Sequence, residues 1–67
     1  MDISKKFGKK FKAIRLKKDM SQGDIAKKLG VDPSYVSKIE RGIQNVSLKG
    51  IEKLAKIIGV SVGELMK

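Results

Sequence analysis

The sequence predicts an all-α protein, and three observations carry that prediction. Apolar residues recur at helical spacing in each segment of the chain and nowhere alternate as they do along a half-buried strand. Stop signals at Gly30, Gly42 and Gly59 each follow such a segment, and start signals at Ser21, Asp32 with Pro33, Ser47 and Ser61 each precede one. Between Gln22 and Arg41 the stretch Q-G-D-I-A-K-K-L-G-V-D-P-S-Y-V-S-K-I-E-R sets small, glycine and apolar positions where a helix-turn-helix needs them.

Taken in order, the first helix runs from about Ser4 to Lys18. Phe7, Phe11 and Ile14 form its apolar stripe, Leu16 lies near its end, and Lys5, Lys6, Lys9, Lys12 and Lys17 fall mainly on other faces. Ser21 with Asp24 three residues on is a weak capping-box pattern, which opens a two-turn second helix ending at Gly30. Ala26 is small where two helices must cross closely, and Gly30, four residues later, supplies the sharp exit. Ile25, Leu29, Val31, Val36 and Ile39 take the inward positions on either side.

The third helix has the clearest start. Asp32 caps the first amides, and Pro33 at the first helical position lacks only a hydrogen that would have gone unpaired. It runs to Arg41 and stops at Gly42, and I-Q-N-V forms a connecting loop. Ser47 then caps a fourth helix in which Leu48, Ile51, Leu54, Ala55 and Ile58 make one apolar face, ended by Gly59. Ser61 with Glu64 is a better capping box, opening a short last helix with Val62 and Leu65 on one side. Five helices in a single domain, residues 1–67, leave almost no chain unused.

Composition bounds what such a domain does. A chain of 67 residues buries only about 60% of the surface its unfolded form exposes, which argues against a deep enzymatic cleft. With no cysteine and no histidine, disulfides, thiolate ligands, imidazole bases and the usual zinc sites are excluded. Asp24, Asp32 and Glu40 have capping or pairing explanations, and no nucleophile stands with a base. No enzyme activity, cofactor, metal or small-molecule ligand is expected. No apolar run approaches a membrane span or a signal segment, so the expected location is the cytoplasm.

Sixteen basic against seven acidic residues give a net charge of +9, the balance of a nucleic-acid or anionic-surface binder. Fourteen of the sixteen are lysines, which also serve simply to solubilise exposed helix faces. A membrane-surface bundle fits less well than a DNA binder. Each apolar stripe has another to cover it, and the lysines are spread over several helices.

Four features together identify a resemblance: R-x-x-x-D-x-S-Q at Arg15 to Gln22, the spacing of Ala26 and Gly30, V-S-K-I-E-R-G at Val36 to Gly42, and G-V-S-V-G-E-L at Gly59 to Leu65. The chain resembles the Cro/CI-type, or XRE-type, helix-turn-helix transcriptional regulators over nearly its whole length. The stretch R-G-I-Q-N-V-S-L at Arg41 to Leu48 looks most like the controller proteins of restriction-modification systems. The resemblance implies a compact lambda-repressor-like fold, with the helix-turn-helix at 22–41, and sequence-specific binding of double-stranded DNA.

Ser34, Tyr35, Ser37 and Lys38 then lie on the outer, N-terminal part of a recognition helix, 33–41, whose side chains reach base edges in the major groove. Lys38 suits guanine O6 or N7, and the serine hydroxyls pair with donors or acceptors. Tyr35 has an alternative role, packing against a neighbouring loop. Gln22 and the amides of its helix suit a phosphate, as the matching glutamine does in the family, and Arg41 is a second phosphate ligand. Asn45, the Gly42 to Ser47 loop and Lys49 form a clamp across the groove, although Asn45 also fits as a turn residue satisfying its own backbone. Arg15 and Glu40 are expected to pair with each other, as their counterparts do in the family, rather than to touch DNA.

Pro33 removes a polar side chain from the reading face and Asp32 adds a carboxylate, so direct readout is expected to be sparse, with selectivity leaning on DNA shape. Helices four and five, 47–66, are expected to complete the core and, through Val62, Leu65 and Met66, to form a homodimer on a (pseudo)palindromic operator. An antitoxin-type regulator whose main partner is a protein is the alternative within the same fold.

Overall fold

Left-handed glycines set the ends of three helices. In the computed structural model, which describes residues 3–67, Gly30, Gly42 and Gly59 adopt φ of 79°, 76° and 72° directly after α2 (Gln22–Leu29), α3 (Pro33–Arg41) and α4 (Leu48–Ile58). The other two helices are α1 (Ile3–Lys17) and α5 (Val62–Met66). Residues 1 and 2 of the expected domain lie outside the described residues. At Gly30 the backbone N–H returns to the Ala26 carbonyl, closing the last turn of α2 so that α3 can start three residues later. The end of α1 uses Asp19 instead, at φ 55°, while the Met20 N–H reaches back to the Arg15 carbonyl at 3.1 Å.

The starts differ from expectation in detail. The Ser21–Asp24 pattern makes a complete capping box: the Asp24 N–H donates to Ser21 Oγ and the Ser21 N–H to Asp24 Oδ2, both at 2.9 Å. At Ser61 the Glu64 N–H donates to Oγ, and the reciprocal bond from the serine amide is absent. Asp32 has the extended backbone of an N-cap, but its side chain makes no capping bond, contrary to the role expected of it. Its carboxylate stands exposed instead, and Pro33 alone pre-sets the first turn.

α3 packs on α1 and α2, α4 on α2 and α5, and α5 returns to α1. Phe7, Phe11, Ile25, Ala26, Val36, Ile39, Leu54, Ala55, Ile58 and Leu65 form the core where these helices meet, with Leu29 and Val31 half-buried at its edge. Two apolar residues differ from their expected places. Leu48 projects outward with 67% of its surface exposed, so the α4 face begins only at Ile51. Leu65 is 1% exposed and packs in the core of its own chain, so its side chain is not presented to a second copy.

Gly8 sets the approach of α1 to α3. A Cβ there would stand 2.4 Å from the Ile39 carbonyl oxygen and 2.6 Å from that of Glu40, so only glycine lets the two backbones come this close. The recognition segment is therefore held by main chain as well as by side chains.

Candidate nucleic-acid interface

The two helices of the motif leave specific donors free. In α2 the Asp24 amide is taken by Ser21, and the Gln22 and Gly23 amides are first-turn donors that no carbonyl of the helix can reach. In α4 the Gly50 N–H donates to Ser47 Oγ at 3.1 Å, leaving the Leu48 and Lys49 amides in the same position. Between these two helix starts lies the outer face of α3, with Ser34, Lys38 and Arg41 exposed and Ser37 half-buried.

Tyr35 is half-buried. It packs against the core and lines a hollow of about 230 Å³ between α3 and the start of α4, together with Val46, Ser47, Lys49 and Lys53. The packing role weighed for this residue is thus realised for one edge of the ring. Asn45 and Lys49 are exposed on the far side of the same hollow's rim. In the loop, the Gln44 side-chain amide donates to the Asn45 carbonyl at 3.3 Å, which leaves the Asn45 side chain outside that turn's hydrogen bonding.

A buried ionic network anchors the interface from behind. Arg15 Nε donates to Glu40 Oε2 at 2.6 Å and Nη2 to Oε1 at 3.0 Å, with both residues only 6% exposed. Arg15 Nη1 also donates to the Met20 carbonyl at 2.7 Å. Gln22 Nε2 donates to Glu40 Oε1 at 3.0 Å, a bond that spacing does not reveal, since eighteen positions separate the two. Four places are thereby tied together: the body of α1, the turn after it, the first residue of α2 and the end of α3. A bidentate guanidinium–carboxylate pair cancels its own charge, so Glu40 sits behind the interface without making it repel an anion.

The carboxylate nearest the α2 start is Asp24. The Ser21 backbone N–H, then the Ser21 hydroxyl, hold its carboxyl below the ordinary 3.8, and Lys28 and Lys27 act in the same direction. A depressed folded pKa means that the stabilisation is complete above the unfolded value and is lost as pH falls through the folded one. Below about pH 4 the first turn of α2 should therefore loosen. A carbon-detected titration of Asp24 with a midpoint under 3.8, alongside faster exchange of the Ser21 amide in acid, is the expected result.

Residues 11–65 match the helix-turn-helix family model. The chain belongs to the XRE-type helix-turn-helix family of DNA-binding transcriptional regulators. It is 42% identical over 65 residues to the control protein C.MunI of Mycoplasma sp., covering 96% of this chain and 88% of that protein. It is 46% identical over 61 residues to the control protein C.BamHI of Bacillus amyloliquefaciens, covering 90% and 75%. Among solved structures, the restriction-modification controller protein C.AhdI from Aeromonas hydrophila superposes with a TM-score of 0.85 at 43% identity, covering 91% of this chain and 92% of that one.

Of the residues expected in the interface, Ser34, Lys38, Arg41, Asn45 and Lys49 project to solvent, whereas Gln22 is half-buried and engaged with Glu40. No helix among the described residues is long and apolar enough to cross a membrane. Two contributors were missed in the sequence. Gly8 is one, although a glycine inside a lysine-rich helix costs about 1 kcal/mol relative to alanine and so signals a packing reason. The other is the backbone of Gly23, whose amide stands beside that of Gln22.

Proposed function

We propose that this regulator acts in the cytoplasm as a homodimer on a (pseudo)palindromic operator, with α3 in the major groove and the starts of α2 and α4 on the phosphates at either side. The observation that carries this reading is the placing of an exposed Ser34, Lys38 and Arg41 between two helix N-termini with unspent amides. Ser34, Tyr35, Ser37 and Lys38 read bases, whereas Gln22, Arg41, Asn45 and Lys49 hold phosphates. The hollow beside Tyr35 leaves the outer part of its ring free to meet a thymine methyl.

For the dimer, Met66 keeps the role expected of it and Leu65 does not. Ile43, Leu48 and Met66 are 62%, 67% and 43% exposed. Met66 borders a small hollow that Ser4, Phe7, Gln44, Val46 and Ile51 complete, and none of these residues is charged. In a chain of net charge +9, a lysine-free apolar face is where two copies can meet with least repulsion. Val62 is half-buried beside Leu65 and contributes less to that face.

Selection from a random duplex library at near-physiological salt tests the reading. Enriched sequences with two-fold symmetry and half-site centres about one helical turn apart are expected. On the selected duplex, Lys38→Ala should weaken binding at particular base positions by about 1–3 kcal/mol, while Arg41→Ala should weaken all sequences alike and reduce the salt slope by about one. Enrichment of nothing above a basic background would overturn the operator. Identical behaviour of the two variants would overturn the division of roles.

A further inference from the structure

Of the side chains assigned to the DNA face, Gln22 is the one among the described residues that the protein itself holds by a side-chain hydrogen bond. Its acceptor is an ionised carboxylate, which accepts and does not donate, so the NH₂ end of the amide must be the end that faces Glu40. That fixes which way the amide is turned. One Nε2 hydrogen is used on Glu40 Oε1, at 3.0 Å, and the second is left over. Without the carboxylate either end of the amide could face outward, and an outward Oε1 would repel a phosphate oxygen.

Glu40 is itself immobile. Arg15 grips both of its oxygens, and the Met20 carbonyl grips Arg15. The carboxylate is therefore a fixed acceptor, and the guanidinium beside it removes the net charge that would otherwise push DNA away. A continuous line of donors and acceptors runs from the Met20 carbonyl through Arg15 and Glu40 to Gln22, and ends beside the Gln22 and Gly23 backbone amides.

We propose that Glu40 is a positioning residue for the phosphate clamp: it turns the Gln22 amide so that its second Nε2 hydrogen and the α2 amides address the same DNA phosphate. The proposal rests on the DNA reading above. It assigns the buried pair a part in affinity in addition to its part in holding the fold, because an amide already oriented in the free protein loses less conformational freedom on binding.

Removing Glu40 alone would also unseat Arg15, so the test uses the apolar double replacement Arg15→Met with Glu40→Leu, in which no buried charge is stranded. Affinity for the selected duplex is measured for four proteins: the parent, Gln22→Ala, the double variant, and the double variant carrying Gln22→Ala. Gln22→Ala should weaken the parent about tenfold, as expected for a hydrogen bond to a charged group, and the double variant less than about twofold. Equal losses in the two backgrounds would overturn the positioning role. If a duplex is selected but Gln22→Ala leaves the parent's affinity unchanged, the clamp falls while the DNA reading stands; if no duplex is selected, the DNA reading itself falls and the positioning role with it.

A second measurement does not depend on any variant folding. In the free parent protein, nitrogen relaxation should give the Gln22 side-chain amide an order parameter near that of rigid backbone, about 0.85, and Gln44 a lower one. A Gln22 amide as mobile as that of Gln44, whose longer 3.3 Å bond reaches only the adjacent carbonyl, would overturn the proposal on its own.

Discussion

Glu40→Leu is expected to remove about 3–5 kcal/mol of stability, the cost of stranding one member of a buried pair. Arg15 would lose its Nε and Nη2 acceptors while remaining almost fully enclosed, and the Met20 carbonyl would be its one surviving partner. Gln22 would lose its acceptor at the same time. A 67-residue domain has a total stability of roughly 3–10 kcal/mol, so this single change should leave much of the population unfolded at physiological temperature. Urea denaturation should show the loss as a lowered midpoint with an unchanged slope. Combining Glu40→Leu with Arg15→Met should restore most of it, because two apolar side chains of similar volume repack without a desolvated charge. A double variant no more stable than Glu40→Leu alone would mean that the site tolerates no apolar repacking and that the network's hydrogen bonds, not its charges, dominate.

Local chemistry was legible in the sequence, and contacts across the fold were not. The stops at Gly30, Gly42 and Gly59 could be placed because a left-handed residue after a helix is a requirement of the backbone itself. Ser21 and Ser47 could be placed for the same reason, each accepting an amide three residues on. Asp32 shows the limit of that logic: the right residue in the right backbone conformation still makes no capping bond. Periodicity put Leu48 and Leu65 on apolar faces, but it cannot say which part of a face the rest of the chain covers. The chain covers Leu65 and leaves Leu48 out. Arg15 and Glu40 are twenty-five positions apart, so nothing in their spacing points to a contact, and the family resemblance was the route to it. The bond from Gln22 to the same carboxylate lay beyond both routes, and it makes the reading of Gln22 as a simple phosphate ligand incomplete.

Gly8→Ala should destabilise the protein by about 1–3 kcal/mol, although helix propensity alone predicts a gain of about 1 kcal/mol. The added Cβ would lie 2.4 Å from the Ile39 oxygen, 2.6 Å from the Glu40 oxygen and 2.9 Å from the Glu40 carbonyl carbon. All three are backbone atoms, so no rotamer change relieves the contact and α1 or α3 must shift as a body. Gly23→Ala provides the control in the same molecule. There the new methyl meets only Ser21 Oγ, at the ordinary distance of 3.6 Å, so the substitution should stabilise by up to about 1 kcal/mol. Thermal melts of the two variants should therefore move in opposite directions. Because the atoms struck at Gly8 belong to the residues that precede Arg41 and carry the Arg15 pair, Gly8→Ala should also weaken DNA binding beyond its effect on the folded fraction. Equal upward shifts for both variants would mean that α1 can retreat from α3 without strain, and that the close approach at Gly8 does not hold the recognition helix in place.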